Sequence, residues 1–155
     1  MNYIDVRNAD YEMFHDLLNE YYRDGEDAQT PQPEIDAFIL HLFELCRDGR
    51  IYGCVAYDTD PVGFVLWNVD SDGGAFSQKP GFGTILEIGV RQDNPQRGIG
   101  QLLVDFAESQ MGVNRYYVCA YGPAEEFWTK CGYFFAGETA GNGLKIMIKG
   151  DGCGR

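Results

Sequence analysis

Residues 82–103 constrain the fold most. Phe82, Thr84, Ile85, Leu86, Ile88 and Val90 form a run with strand character, and a polar loop from Gln92 to Gly98 follows it. Gly98-Ile99-Gly100 then opens a segment, Ile99 to Met111, in which Leu102, Leu103, Phe106 and Ala107 recur at helical spacing. A strand thus passes through a glycine turn straight into an amphipathic helix. The chain is of mixed α and β class.

The rest of the chain extends this pattern. Residues 2–7 alternate in polarity as a first strand, and Asn8-Ala9-Asp10 offers an N-cap to a helix carried by Met13, Phe14, Leu17, Leu18, Tyr21 and Tyr22. That helix stops at Asp24-Gly25. A loop over 24–33 follows, with a second helix over 34–47. Strands are expected over 51–57 and 62–69, joined by turn chemistry at Asp58-Thr59-Asp60-Pro61, then over 82–91. After the third helix come a strand over 115–121, a short helix over 123–131 with Pro123 in its first turn, and strands over 133–136 and 144–149. The predicted order is β-α-α-β-β-β-α-β-α-β-β: one α/β (α+β) domain over 1–149, with a mixed, mostly antiparallel sheet of about seven strands flanked by four helices. Residues 150–155 read as a loose tail.

Composition narrows the function. The 155 residues carry 12 basic and 24 acidic side chains, a net charge of −12, and no basic patch stands out. A phosphate backbone is repelled by such a field, so nucleic acid is not an expected partner, whereas a cationic small molecule is attracted. No apolar run approaches membrane-spanning length, and the start Met1-Asn2-Tyr3-Ile4-Asp5 has neither the charge nor the apolar stretch of a secretory signal. The five cysteines include no close pair, and the two histidines, His15 and His41, lie within helices. The expectation is a cytoplasmic protein with reduced thiols, no metal and no membrane association.

The glycine turn carries the chemistry. Gly98 and Gly100 permit close approach to the backbone, and the first amides of the following helix lack intrahelical partners at the positive end of its dipole. A phosphate group suits such a terminus, and Arg97 adds charge beside it. A Walker loop is absent. A Rossmann fingerprint is disfavoured because the third glycine is missing and the turn comes late in the chain.

Ile88-Gly89-Val90 with Pro95-Gln96-Arg97-Gly98-Ile99-Gly100-Gln101-Leu102-Leu103 resembles motif A of the GCN5-related N-acetyltransferase (GNAT) family. Ala124-Glu125-Glu126-Phe127-Trp128-Thr129-Lys130-Cys131-Gly132-Tyr133 is similar to its motif B. The two motifs stand in the family's order and separation, and the element order agrees over nearly the full chain. The resemblance implies acetyl-CoA as co-substrate, bound across a splayed pair of parallel strands, here the one ending at Val90 and the one over 115–121. The pantetheine arm is expected on the backbone of Ile88, Gly89 and Val90, and the pyrophosphate on Gln96, Arg97, Gly98, Ile99, Gly100 and Gln101. Trp128 is expected at the motif B contact. A substrate amine then attacks the thioester directly. A homodimer is compatible with the resemblance.

Three positions depart from the family pattern. Pro95 stands at the first position of the phosphate motif, Tyr121 replaces an Asn often found before motif B, and Trp128 replaces the Tyr that often protonates the departing thiolate. An indole N–H is not a practical acid. Tyr121, Tyr133, Cys131 and water remain open for that role.

Strand alternation puts Glu87 and Gly89 on one face, and Gly89 is expected to leave room beside the carboxylate. Glu87 is a candidate base, acting directly or through water; holding a substrate ammonium is the other reading. Asp24, Glu26 and Asp27, with Asp70 and Asp72 from the later loop, suit a small cationic amine, and the aromatic run Tyr21-Tyr22 adds cation–π contacts, with Tyr22 counted among the acceptor residues. An aminoglycoside, polyamine or amino acid belongs to that class; a peptide N-terminus or lysine side chain is a weaker option. The competing function is an acetyl-CoA-binding sensor or partner module without transfer activity, favoured by Trp128 and Tyr121.

Overall fold

The computed structural model describes residues 1–25, 27–73, 77–93 and 98–153. It contains strands β1 (Asn2–Asp5), β2 (Tyr52–Asp58), β3 (Asp60–Val69), β4 (Gly83–Val90), β5 (Arg115–Ala120), β6 (Phe134–Thr139) and β7 (Lys145–Gly150). The helices are α1 (Tyr11–Asp24), α2 (Gln32–Arg47), α3 (Ile99–Met111) and α4 (Glu125–Lys130). The sheet runs in the order β1-β2-β3-β4-β5-β7-β6. β1–β2, β5–β7 and β6–β7 pair antiparallel, and β4–β5 pairs parallel. The predicted element order and mixed sheet are therefore present.

Several boundaries move, each for a local reason. β1 stops at Asp5 because the Asp5 carboxylate accepts from the Arg7 amide at 2.9 Å and from its guanidinium at 2.8 Å, winding Val6–Asn8 into a 3-10 turn. α2 starts at Gln32 and takes Pro33 into its first turn, where a missing N–H costs no hydrogen bond. The short helix expected from Pro123 divides into a 3-10 turn over Gly122–Ala124 and α4. β7 runs through Gly150, and Asp151 is tied to Asn114 through its amide at 2.9 Å and its carboxylate at 3.0 Å. The expected loose tail is thus held as far as Asp151. Within the expected cap stretch Asn8-Ala9-Asp10, it is the Asp10 carboxylate that caps α1, by accepting from the Met13 amide.

Two compact units can be distinguished: Met1–Leu66 with Glu87–Leu103, and Trp67–Leu86 with Val104–Arg155. In the first, Val6, Phe14, Leu18, Ile39, Val55 and Phe64 are fully buried, and α1 meets α2 through Tyr11 and Phe14 on the ring of Phe43, at 4.9 and 5.4 Å between centroids. In the second, Tyr117, Ala140 and Ile146 form a buried cluster flanked by Phe82, Cys119 and Ile148. The β4–β5 ladder pairs Gly83 with Tyr116 and Thr84 with Tyr117. β4 continues six residues further, to Val90.

Candidate functional site

In the first unit, one stripe of α1 faces a small cleft of about 110 Å³. Leu17, Glu20, Tyr21 and Asp24 stand three to four residues apart and so share a side of the helix. Gly25, Phe64 from β3, and Gly89, Val90, Arg91 and Gln92 at the end of β4 complete the lining. Arg91 anchors this end of the sheet through its amide, which donates to the Val62 carbonyl at 2.8 Å. Its guanidinium Nε lies 3.4 Å from Glu20 and 3.5 Å from Asp93. Asp24 was expected at the acceptor site and lines this cleft. Leu17, Glu20, Phe64 and Arg91 were not expected there, although the helical spacing of Leu17, Glu20 and Asp24 was readable.

The room predicted beside Gly89 is filled. A Cβ at this position would stand 2.5 Å from Phe64 Cε1 and 2.7 Å from Tyr21 Cδ1. The glycine is there so that two aromatic rings can close on the strand, which tilts Tyr21 edge-on to Phe64 at 5.4 Å. The cleft lies at the margin of this packing and not over Gly89 itself.

The two adjacent tyrosines have opposite surroundings. Tyr21 is 38% exposed and Tyr22 only 4%. Tyr22 therefore cannot offer its ring face to an acceptor as expected; Tyr21 has that exposure. Tyr22 packs edge-on to Tyr21 and Phe38, at 5.2 and 5.7 Å. Its hydroxyl is buried without a closed hydrogen bond. Burial first, then the nearby Glu87 carboxylate, with Tyr21 and Asp27 adding to it, raise the phenol well above its ordinary pKa. Two carboxylates singled out from the sequence, Asp27 in the following loop and half-buried Glu87 on β4, thus act on the Tyr22 phenol. Arg23 holds that loop by donating to the carbonyls of Ala28 and Thr30. Glu26 lies outside the described residues.

The glycine turn opens directly into α3. Gly98 adopts φ +82°, a left-handed conformation that glycine takes without a Cβ penalty, and a Cβ built there meets nothing within 4 Å. The Leu102 amide donates to the Gly98 carbonyl at 3.0 Å, so the helix begins immediately after the glycine. α3 carries no acidic residue in its first turn, whereas α1, α2 and α4 each carry at least one. Ile99 is buried and anchors the turn, while Gly98 and Gln101 are exposed. Gln96 and Arg97 lie outside the described residues. Ile88 and Val90 are half-buried on β4.

The candidates in the second unit have distinct settings. Tyr121 follows β5 and is 44% exposed. Tyr133 is 1% exposed, and its hydroxyl donates to Glu108 Oε2 at 2.7 Å while Lys149 donates to Oε1 at 2.8 Å. Burial and the Glu108 charge push the Tyr133 phenol far up, so its proton is held. Trp128 is buried between Phe127 and Tyr133, with ring centroids at 5.0 and 5.3 Å. Burial pushes the Cys131 thiol up to about 11. Asp70, read from sequence as a loop charge for the acceptor, is 5% exposed, and its Oδ2 accepts from the Gln78 and Lys79 amides and the Tyr117 hydroxyl. Among the described residues, no group of three or more His, Cys, Asp or Glu side chains could hold a metal ion, and no helix is long and apolar enough to cross a membrane.

Comparison with known proteins agrees with this architecture. A model described as the acetyltransferase (GNAT) family matches residues 11–133. The chain belongs to the GNAT family of acetyltransferases, whose co-substrate is acetyl-CoA. No curated protein matches the sequence. Among solved structures, it is similar to Tetrahymena GCN5, with 16% identity, a TM-score of 0.66 and coverage of 97% of this chain and 96% of that one. A PaiA N-acetyltransferase from Thermoplasma acidophilum in complex with coenzyme A also shares the fold, at 16% identity, TM-score 0.66 and coverage of 97% and 99%. A third, titled histone acetyltransferase HPA2 and related acetyltransferase, from Corynebacterium glutamicum, gives 20% identity, TM-score 0.69 and coverage of 96% and 95%.

Proposed function

We propose that this chain is an N-acetyltransferase that moves the acetyl group of acetyl-CoA to a primary amine of a small cationic acceptor, by direct attack within a ternary complex. The observation that carries the proposal is the start of α3, where Gly98 is left-handed, its Cβ direction is open, and the first turn holds no carboxylate. Amides there lie at the positive end of the helix dipole and match a diphosphate. The PaiA structure contains coenzyme A on the same fold.

Acetyl-CoA supplies an acetyl group activated as a thioester. The protein supplies position and proton transfer. The cleft lined by Glu20, Tyr21 and Asp24 suits the cationic part of the acceptor through charge and the exposed aromatic ring. Glu87 takes a proton from the reacting ammonium, directly or through water. The freed nitrogen lone pair attacks the carbonyl carbon, the C–N bond forms, the C–S bond breaks, the acylated nitrogen gives up its second proton to water, and the thiolate takes a proton. Tyr121, exposed at the end of β5, is the proposed donor of that proton, since Glu108 holds the hydroxyl of Tyr133.

A second reading is an acetyl-CoA-binding module without transfer, favoured by the apolar burial of Trp128 at the position where the family often has a reactive tyrosine. Calorimetry with acetyl-CoA and a thiol-release assay over a panel of amines separate the two. Binding with product formation supports the enzyme; binding with no product from any amine supports the module. Gly98→Glu is expected to weaken acetyl-CoA binding at least a hundredfold through like charge and bulk. Gly98→Ala, which tests the backbone alone, is expected to cost about 1 kcal/mol of stability. Unchanged affinity in Gly98→Glu overturns the reading of the turn.

A further inference from the structure

We propose that the acceptor is an α-amino acid whose side chain ends in a primary amine: the cleft beside α1 takes its zwitterionic head, with Arg91 on the carboxylate and Asp24 on the α-ammonium, and the side-chain nitrogen takes the acetyl group. The inference rests on the proposed transfer reaction. It narrows the acceptor from a small cation to a cation that also carries a carboxylate.

The cleft presents charges of both signs, which a simple amine does not need. Glu20 and Asp24 line it from α1, and Arg91 lines it from the end of β4. The three are not equivalent. Arg91 faces Glu20 at 3.4 Å and Asp93 at 3.5 Å, in both cases through Nε, and that nitrogen closes no hydrogen bond. Among the described residues the Nη edge of the guanidinium has no hydrogen-bond partner. Such an edge is a flat fork that meets a carboxylate with two parallel bonds. The Arg91 side chain is 35% exposed, so the fork is reachable from solvent, and the amide bond to Val62 fixes the backbone beneath it.

Asp24 is the complementary group. It is exposed, and among the described residues it enters no ion pair. Glu20, one turn earlier on the same side of α1, is already compensated by Arg91. An incoming ammonium is thus drawn to Asp24, with the exposed ring of Tyr21 lining the same cleft. Size agrees. The cleft measures about 110 Å³, whereas sites for drug-sized molecules begin near about 300 Å³. It suits the few atoms of an amino-acid head. Glu87, the proposed base, precedes the cleft residue Gly89 by two positions on β4, about 7 Å along the strand. The side-chain arm of lysine or ornithine has that reach.

Three probes of one length separate the charges: L-lysine, 1,5-diaminopentane, which lacks the carboxylate, and 6-aminohexanoate, which lacks the α-ammonium. L-Ornithine, 1,4-diaminobutane and 5-aminopentanoate form a shorter set. In thiol-release kinetics at saturating acetyl-CoA, the amino acid of one set is expected to exceed both of its analogues in kcat/KM by about tenfold or more. Calorimetry with coenzyme A present is expected to give the same order in Kd, and NMR of the product to place the acetyl group on the side-chain nitrogen. Arg91→Gln removes the fork and releases Glu20, so the amino acid is expected to lose most of its advantage while the diamine gains. Asp24→Asn removes the α-ammonium partner, so the amino acid is expected to fall while the aminoalkanoate gains. A merely structural role for either residue lowers all three probes together, and that result overturns the assignment. So does a diamine used as well as the amino acid in both sets, turnover confined to amines without a neighbouring carboxylate, or acetylation of the α-nitrogen; these leave the transfer reaction standing. Acetyl-CoA binding with no thiol release from any amine overturns the transfer reading and this acceptor together.

Discussion

Tyr117 donates its hydroxyl to the carboxylate of Asp70 at 2.5 Å, across 47 positions of sequence, and both side chains are buried. The same carboxylate oxygen accepts from the amides of Gln78 and Lys79, at 2.7 and 3.0 Å. The Asp70 amide and carbonyl close on Phe82 and Gly81. One buried carboxyl group thus organises both ends of the loop between β3 and β4 and fastens it to β5. Burial, followed by the Asp70 hydrogen bond, raises the Tyr117 phenol, which keeps it a donor.

Asp70→Ala leaves three donors without their acceptor, so it is expected to destabilise the protein by about 3 kcal/mol. Tyr117→Phe keeps the two amide bonds and is expected to cost about 2 kcal/mol. The double variant should cost less than the sum, because the residues act as one network. Urea unfolding of the three variants measures this.

Gly89→Ala places a methyl group against Phe64 and Tyr21 at 2.5 and 2.7 Å. Aromatic rings wedged on a strand give way poorly, and the expected loss is roughly 1–3 kcal/mol. Because Tyr21 lines the cleft, the same change should raise KM for the amine more than for acetyl-CoA. Steady-state kinetics with each substrate varied in turn gives the comparison.

Tyr121, the proposed proton donor, and Tyr133, whose hydroxyl is held by Glu108, should behave differently. Tyr121→Phe removes an exposed hydroxyl and is expected to slow turnover about tenfold or more with little change in stability. Tyr133→Phe removes a donor to Glu108 and is expected to cost about 1–2 kcal/mol, with a smaller effect on turnover than Tyr121→Phe. Melting curves and rates on both variants decide it.

His15 joins α1 to α2 with Nε2 at 2.8 Å from Asp36 and Nδ1 at 3.1 Å from Asp16. Both ring nitrogens can donate only in the imidazolium form. The hydrogen bond to Asp36, opposed by burial and aided by Asp16, holds the His15 pKa above its usual 6.5. The stabilisation is fully present below the unfolded histidine pKa and disappears as pH rises through the folded one. Asp36 is lowered by His15 and Gln32, so its share is present above the unfolded carboxylate value and disappears as pH falls through the folded one. His15→Gln is therefore expected to lower Tm by about 1–2 °C near pH 5.5 and to leave it unchanged at pH 9.

The order of elements, the bounds of α3 and the Asp10 cap follow from periodicities within a dozen residues, which is why they were legible. The Gly98-Ile99-Gly100 turn was legible for a related reason: a helix start after glycine has the same unpaired amides in any surroundings. Glu87 and Asp27 could be singled out as carboxylates on a strand face and a loop, but their convergence on Tyr22 depends on how α1 lies against β4.

Tertiary packing decided the rest. Tyr21 and Tyr22 are neighbours about 100° apart around one helix, and nothing in their own sequence says which ring is covered. The covering of Tyr22 by Phe38, and the closure of Phe64 and Tyr21 over Gly89, come from chain segments tens of residues away. Asp70 looks like any loop carboxylate until Tyr117 and the amides of Gln78 and Lys79 surround it. By itself the sequence determined the order of elements and the glycine-opened start of α3, because those depend on local backbone geometry. Which charged and aromatic groups face the chemistry, and which are held inside by partners, was decided only when distant segments packed together, because burial and pairing are properties of the assembled neighbourhood.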